Sequence, residues 1–171
     1  MQQFYLIGYM GSGKSTLGKE LSKRLGMPFL DLDSHIEAKE NTSIFDLFQT
    51  KGELYFRNQE HNHLKELLLN TAPRVVALGG GTPCYHGNID LLLRAPQCEV
   101  VYLNGSVSFL SKRLFKEIAQ RPIISHIKTE EELQEFVGKH LFERLPFYQK
   151  AAKQIAIDNK SIEALIEELL N

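Results

Sequence analysis

Eight consecutive residues, Gly8-Tyr9-Met10-Gly11-Ser12-Gly13-Lys14-Ser15, constrain this chain more than any others. They fit the pattern G-x-x-x-x-G-K-[ST] in full. A strand-length apolar run, Phe4–Ile7, precedes them, and a helical stripe of Leu17, Leu21 and Leu25, ended by Gly26, follows. Strand, glycine-rich turn and helix in that order make a cradle for phosphate. The glycines let backbone N–H groups point inward, and the helix adds the positive end of its dipole. Lys14 brings a point charge to the terminal phosphates, and the Ser15 hydroxyl is a ligand for Mg2+. A chance Lys-Ser after a turn explains the residues less well, because motif, strand and helix coincide. The chain is read as binding a nucleoside triphosphate through Gly11, Ser12, Gly13, Lys14, Ser15 and Thr16. Asn159-Lys160 is followed by Ser161-Ile162, so the Asp of an N-K-x-D guanine reader is missing, and no D-x-x-G switch is found.

Further strand-length runs occur at Phe29–Asp33, Val75–Leu78, Val100–Leu103 and Ile155–Ile157. Segments of helical period separate them, and a last helix after Ser161 carries Ile162, Leu165, Ile166, Leu169 and Leu170 on one stripe. Strands alternating with helices predict an α/β fold with a parallel sheet covered on both faces. A chain of 171 residues without repeats or linkers fits one domain. Between the second and third strands, 34–70 holds two capping boxes, Ser34…Glu37 and Ser43…Asp46, hence two or three helices. From Lys112 to Lys128 the periodicity is weak, which fits a mobile loop over a site or a plain surface connection equally well.

Composition removes several classes. Lys and Arg number 20 against 21 Asp and Glu, a net charge of -1, so the balance does not indicate a large nucleic-acid surface. No apolar run reaches the length of a membrane span or the core of a signal peptide. Cys84 and Cys98 are expected as buried free thiols. A cytoplasmic protein is the expectation.

A second set of residues suggests what receives the phosphate. Asp31-Leu32-Asp33 ends the second strand, where period-two alternation sends both carboxylates to one face, at the sheet edge where ligands gather. One acid would steady Mg2+ through water while the other accepts a proton, unless they merely cap the next helix. Arg57, Glu60, His61, Leu64, Leu67 and Leu68 share a helical face, with Glu60 placed to hold the Arg57 guanidinium. Thr129…Glu132 opens another helix, whose inward stripe ends in Arg144, and Pro146 is expected to disturb its end. Two inward arginines without obvious buried carboxylates of their own imply an anionic ligand, and a guanidinium fork suits a carboxylate. Gly79-Gly80-Gly81 after the third strand lets a ligand approach the backbone. His61-Asn62-His63 reads as solvated rather than metal-binding, and Glu130–Glu132 as a favourable helix start.

Together these residues resemble shikimate kinase, which phosphorylates the 3-hydroxyl of shikimate on the route to chorismate and the aromatic amino acids. The likeness runs nearly end to end: Gly8–Ser15, Asp31–Asp33, Phe56-Arg57…Glu60, Gly79–Gly81, Arg121-Pro122 and Arg144…Tyr148. It implies a three-layer P-loop kinase fold of the nucleoside-monophosphate-kinase type, with strand order 2-3-1-4-5. It also implies a substrate-binding insertion at 34–70 and a lid at about 112–128. ATP, Mg2+ and shikimate are the implied small molecules, with neither nucleic acid nor membrane as partner and a monomer as the expected state.

Carried over by position, Asp33, Arg57, Gly80 and Arg144 look like shikimate contacts within a site that includes Gly79 and Gly81. Ser15 would bind Mg2+ directly and Asp31 through water. Arg121 would reach the ATP phosphates from the lid, and Arg113 matches a family arginine placed near the adenine. The segment Asp158-Asn159-Lys160-Ser161 is shorter than the Pro-containing adenine loop common in the family, and no adenine contact is assigned to it. The implied chemistry is in-line phosphoryl transfer with Asp33 as base and Lys14 and Arg121 neutralising charge. A gluconate-kinase-like or nucleotide kinase shares the same loop and lid logic. From another class, a non-catalytic ATP-binding regulatory module is the rival.

Overall fold

Five parallel strands alternate with seven α-helices over residues 2–121 and 123–171, which a computed structural model describes. The strands are β1 (Gln3–Ile7), β2 (Phe29–Asp31), β3 (Arg74–Ala77), β4 (Cys98–Asn104) and β5 (Lys153–Ala156). They lie in the order β2-β3-β1-β4-β5, and every neighbouring pair is parallel. This is the order that the resemblance implied. All five residues of β1 are buried, as befits a central strand covered on both faces, which reads as an unbroken apolar run. Gln3 is the polar exception; its amide donates to the carbonyls of Asn70 (2.6 Å) and Ala72 (2.8 Å), pinning the approach to β3.

The helices are α1 (Lys14–Leu25), α2 (Leu32–Glu40), α3 (Ile44–Leu69), α4 (Asn88–Arg94), α5 (Val107–Lys116), α6 (Glu130–Tyr148) and α7 (Ile162–Leu170). Caps set several starts. The Ser43 hydroxyl accepts from the Asp46 amide at α3, the Thr129 hydroxyl from the Glu132 amide at α6, and both were expected. Non-helical Gly52 breaks α3 into two stretches, giving three helical segments between β2 and β3. One apolar cluster joins β1, β3 and β4 to Leu17, Leu21, Leu64, Leu110, Leu141 and Leu165.

The structure corrects the reading in five places. β2 ends at Asp31, and Leu32-Asp33 already belongs to α2. The cap of α2 is Asp31, not Ser34: its carboxylate accepts from the Ser34 amide at 3.2 Å, so the helix begins two residues before the expected box. Residues 112–116, placed at the start of the lid, are the last turn of α5, with Leu114 buried beneath it. α4 carried no recognised signal, being only seven residues long and lacking a side-chain cap. Pro146 does not interrupt α6, which runs on to Tyr148; within the last turn a missing N–H costs one bond, and the exposed ring faces outward.

Gly18, in the middle of α1, shows how closely the layers approach. A Cβ there would lie 2.4 Å from Phe29 Cε2 and 3.3 Å from Leu6 Cδ1. Helix propensity disfavours glycine, yet contact with β1 and β2 leaves no room for a side chain. Gly18→Val is expected to overpack this interface and cost about 1–3 kcal/mol, read as a lower melting temperature and urea midpoint.

Candidate active site

The phosphate cradle forms where β1 meets α1. Gly11 (φ 78°) and Gly13 (φ 87°) take left-handed conformations, which side chains disfavour, and so turn the loop toward α1. Lys14 Nζ donates to the carbonyls of Gly8 and Tyr9, each at 2.9 Å. Burial pulls the Lys14 ammonium down to about 8; Asp33 and Asp31 oppose that pull, while Arg144 and Arg121 add to it. The Ser15 hydroxyl donates to Asp31 Oδ2 at 2.5 Å, and the other oxygen of Asp31 caps α2. Two oxygen donors so close together suit a hard divalent cation. Although Asp33 lies in a helix rather than a strand, both acids line the same cleft of about 290 Å3, together with Lys14, Ser15 and Arg121.

A second cavity of about 300 Å3 adjoins the first and shares Met10, Asp33, Gly79, Gly80 and Arg121 with it. Its own walls include Phe48, Phe56, Arg57, Glu60 and Arg144. The three glycines explain how so many groups converge. A Cβ on Gly79 would lie 2.7 Å from Asp33 Oδ1, one on Gly80 3.1 Å from Arg144 Nη1, and one on Gly81 2.6 Å from Arg57 Nη1. The bare backbone thus makes room for the site's own side chains, beyond the ligand approach that the sequence suggested.

Arg57 is buried, and Glu60 holds its guanidinium as the helical spacing suggested; because Glu60 is itself buried, the reading of Arg57 as an arginine without a buried carboxylate is corrected. Nη1 donates to Glu60 Oε2 at 2.7 Å, while Nε and Nη2 share Glu53 Oε1 at 3.2 Å. Glu60 is 1% exposed and also accepts from the Thr82 hydroxyl at 2.5 Å, so this ion pair is part of the wall. Arg144 differs: among the described residues no carboxylate lies within ion-pair distance of its guanidinium. Among the described residues Asp33 Oδ1, which is buried, has no hydrogen-bond partner. Burial, then Glu60 and Asp31, push the Asp33 carboxyl up to about 7, against the pull of Lys14 and Arg57.

Beyond α5, Arg121 follows a 3₁₀ turn (Ile118–Gln120), and its guanidinium pairs with Glu117 at 2.6 Å. Pro122, its companion in the sequence motif, lies outside the described residues. Arg113 stands at the loop's other end, with Nη1 3.7 Å from where a Gly13 Cβ would be. It borders both the phosphate cleft and a third cavity of about 460 Å3 formed with Thr16, Phe109, Ile157, Lys160 and Ile162. The short 158–161 segment, to which no contact was assigned, therefore contributes to a pocket beside the loop. Phe48 and Thr82 were also not singled out, and Phe56 was named only as the neighbour of Arg57 in Phe56-Arg57…Glu60; no spacing in the sequence ties Phe48 or Thr82 to it. His61 and His63 are not freely solvated. His61 Nδ1 lies 2.7 Å from Asn88 Oδ1, and His63 meets the His35 ring edge-on at 5.0 Å. Among the described residues no cluster of three His, Cys, Asp or Glu could hold a metal, and no helix is long and apolar enough to cross a membrane. Cys84 and Cys98 are free and half-buried.

Known proteins share this arrangement. Over its whole length the chain is 43% identical to shikimate kinase of Flavobacterium johnsoniae, of which it covers 98%. It is similar to the structure of shikimate kinase from Bacteroides thetaiotaomicron, with a TM-score of 0.86 and 34% identity over 98% of this chain and 95% of that one. A structure of shikimate kinase from Acinetobacter baumannii in complex with shikimate gives 0.83 and 32% over 99% and 91%. The shikimate kinase profile itself matches residues 10–171. Likeness this extensive in sequence and backbone leaves one assignment: the chain belongs to the shikimate kinase family.

Proposed function

We propose that this protein transfers the γ-phosphoryl group of ATP to the 3-hydroxyl of shikimate, yielding ADP and shikimate 3-phosphate. The observation that carries this reading is the position of Asp33. Its carboxylate stands where the phosphate cleft and the second cavity meet, with one oxygen buried and unpartnered. An acceptor hydroxyl placed there would give Asp33 its missing hydrogen bond and present its oxygen to a phosphorus in the P-loop. A carboxyl poised near 7 accepts a proton efficiently at neutral pH.

The remaining groups divide the work by charge. Arg144, without a carboxylate partner among the described residues, would take the acceptor's carboxylate through its fork, and Arg57 would add a donor already oriented by Glu60. This pairing of cations with an acidic ring alcohol supports shikimate over an uncharged polyol. Lys14 would exchange the Gly8 and Tyr9 carbonyls for phosphate oxygens, and Arg121 would leave Glu117 to do the same from a lid around 117–128. Ser15 and Asp31 would hold Mg2+, the latter through water; the ion, when bound, neutralises phosphate charge. Positioning and charge neutralisation then supply most of the rate, because phosphoryl transfer has a loose transition state in most analyses.

A coupled assay of ADP release tests the reading: turnover with ATP, Mg2+ and shikimate is expected, and preference for gluconate or a nucleotide would overturn it. Asp33→Asn is expected to lower kcat by about 10²–10⁴-fold while ATP affinity survives. Turnover should fall as pH drops through about 7, where Asp33 gains its proton, and fall again above about 8, where Lys14 loses its own. The acidic limb should vanish in the residual activity of Asp33→Asn.

Stability should respond in the opposite sense. A carboxyl whose folded value is raised costs the fold nothing below the ordinary carboxylate range and most above about 7. Asp33→Asn is therefore expected to raise the melting temperature at pH 8 more than at pH 5, as calorimetry would show. Arg144→Lys should raise the shikimate KM, because an ammonium cannot reproduce the fork; an unchanged KM would remove Arg144 from carboxylate binding.

A further inference from the structure

Three side chains of α6, at successive turns, reach toward the site: His140, Arg144 and Tyr148. Arg144 lines the acceptor cavity, whereas the other two act on loops around it. The Tyr148 hydroxyl donates to the Gly80 carbonyl at 2.6 Å. His140 Nδ1 lies 3.0 Å from the hydroxyl of Tyr9, and the two rings meet edge-to-face with centroids 5.5 Å apart. Tyr9 occupies an unspecified position of the phosphate-loop pattern, yet it is only 1% exposed. Arg144 Cζ lies over its ring, 5.8 Å from the centroid, and its carbonyl accepts from Lys14 Nζ. One residue thus belongs to both halves of the site, through its ring to the arginine and through its backbone to the lysine.

The protonation of the pair suits a directed hydrogen bond. Burial, with Arg144 close by, holds His140 below the usual histidine range, and burial pushes the Tyr9 phenol up to about 12. A neutral imidazole can then accept from an intact phenol. Phe136 packs on the His140 ring from the preceding turn, centroids 5.5 Å apart, so the imidazole has little freedom to turn.

We propose that His140 is a positioning residue: by holding the Tyr9 hydroxyl it fixes the ring on which Arg144 rests, and so keeps the guanidinium aimed into the acceptor cavity. The proposal rests on the reading above that Arg144 binds the acceptor's carboxylate. It separates the two substrates. Loss of the hydrogen bond frees the ring and Arg144, whereas the Tyr9 carbonyl that Lys14 uses is backbone and stays in place.

The test compares His140→Ala, Tyr9→Phe, the double variant and His140→Asn, whose side-chain oxygen can stand near the position of Nδ1. In His140→Ala and Tyr9→Phe the shikimate KM should rise about fivefold or more, the effect of one buried hydrogen bond. In His140→Ala the ATP KM should stay within about twofold of the parent. The double variant should be no worse than either single one, and His140→Asn should recover most of the loss. An unchanged shikimate KM, equal rises for both substrates, or additive single effects would overturn the proposal, as would a lower melting temperature with no change in the KM ratio.

The Arg144 Nε–H NMR signal, assigned through Arg144→Lys, gives a reading that does not depend on turnover. It should be sharp in the parent and in His140→Asn and broadened in His140→Ala; the same line width in all three overturns the proposal. Absence of turnover by the parent enzyme with shikimate would instead refute the proposed function, with the NMR comparison still deciding the role of His140.

Discussion

Everything in the site depends on a stretch of backbone with no side chains. Gly79–Gly81 leaves the carboxyl end of β3, and three groups from three helices occupy the volume that methyl groups would need: Asp33 from α2, Arg144 from α6 and Arg57 from α3. A single Cβ would force one of them away, because protein interiors have little free volume to absorb the shift. Glu60 then locks the arrangement from behind. It binds Arg57 with one oxygen and Thr82, just beyond the glycines, with the other. A buried carboxylate satisfied on both sides costs far less than an unpaired one, so the wall tolerates a full ion pair in its interior.

That wall divides the charges of the site into two kinds. The Arg57–Glu60 pair is complete within the fold, whereas Asp33 and Lys14 are held in environments that disfavour their charged forms. Burial is the leading cause for both, and the shifts run in opposite directions because the groups carry opposite charges. The fold gives up stability on these two groups, leaving Asp33 Oδ1 unpartnered among the described residues and Lys14 on the Gly8 and Tyr9 carbonyls, a pattern common where function needs reactive side chains. Arg144 belongs with them as a cation without a carboxylate partner among the described residues.

Legibility in the sequence followed the range of the interaction. The phosphate loop was complete in eight adjacent residues because its geometry is made by neighbours. The caps Ser43 and Thr129 were readable for the same reason, since each bonds an amide three residues on. The parallel sheet followed from alternation, although its strand order came from family resemblance and not from periodicity. Asp31 and Asp33 were identified with a wrong local geometry. The competition between ending β2 and capping α2 was decided by Asp31, which bonds Ser15 and the Ser34 amide at once. α4 and the end of α5 were missed, being held by burial of Ile89, Leu92 and Leu114 more than by any terminal signal.

The amino-acid order by itself determined the chemistry available: a phosphate cradle, two acids a residue apart, two arginines on inward stripes and a run of glycines. Only the tertiary structure decided which of these meet. The Tyr9–His140 contact spans 131 residues of sequence, Tyr148 to Gly80 spans 68, and Thr82 to Glu60 spans 22. Such pairs leave no periodicity to read, because their distance is set by how helices pack on a twisted sheet. The charge state of Asp33 and Lys14 is equally a product of packing, since desolvation depends on every element that closes over a group and not on its neighbours in the chain.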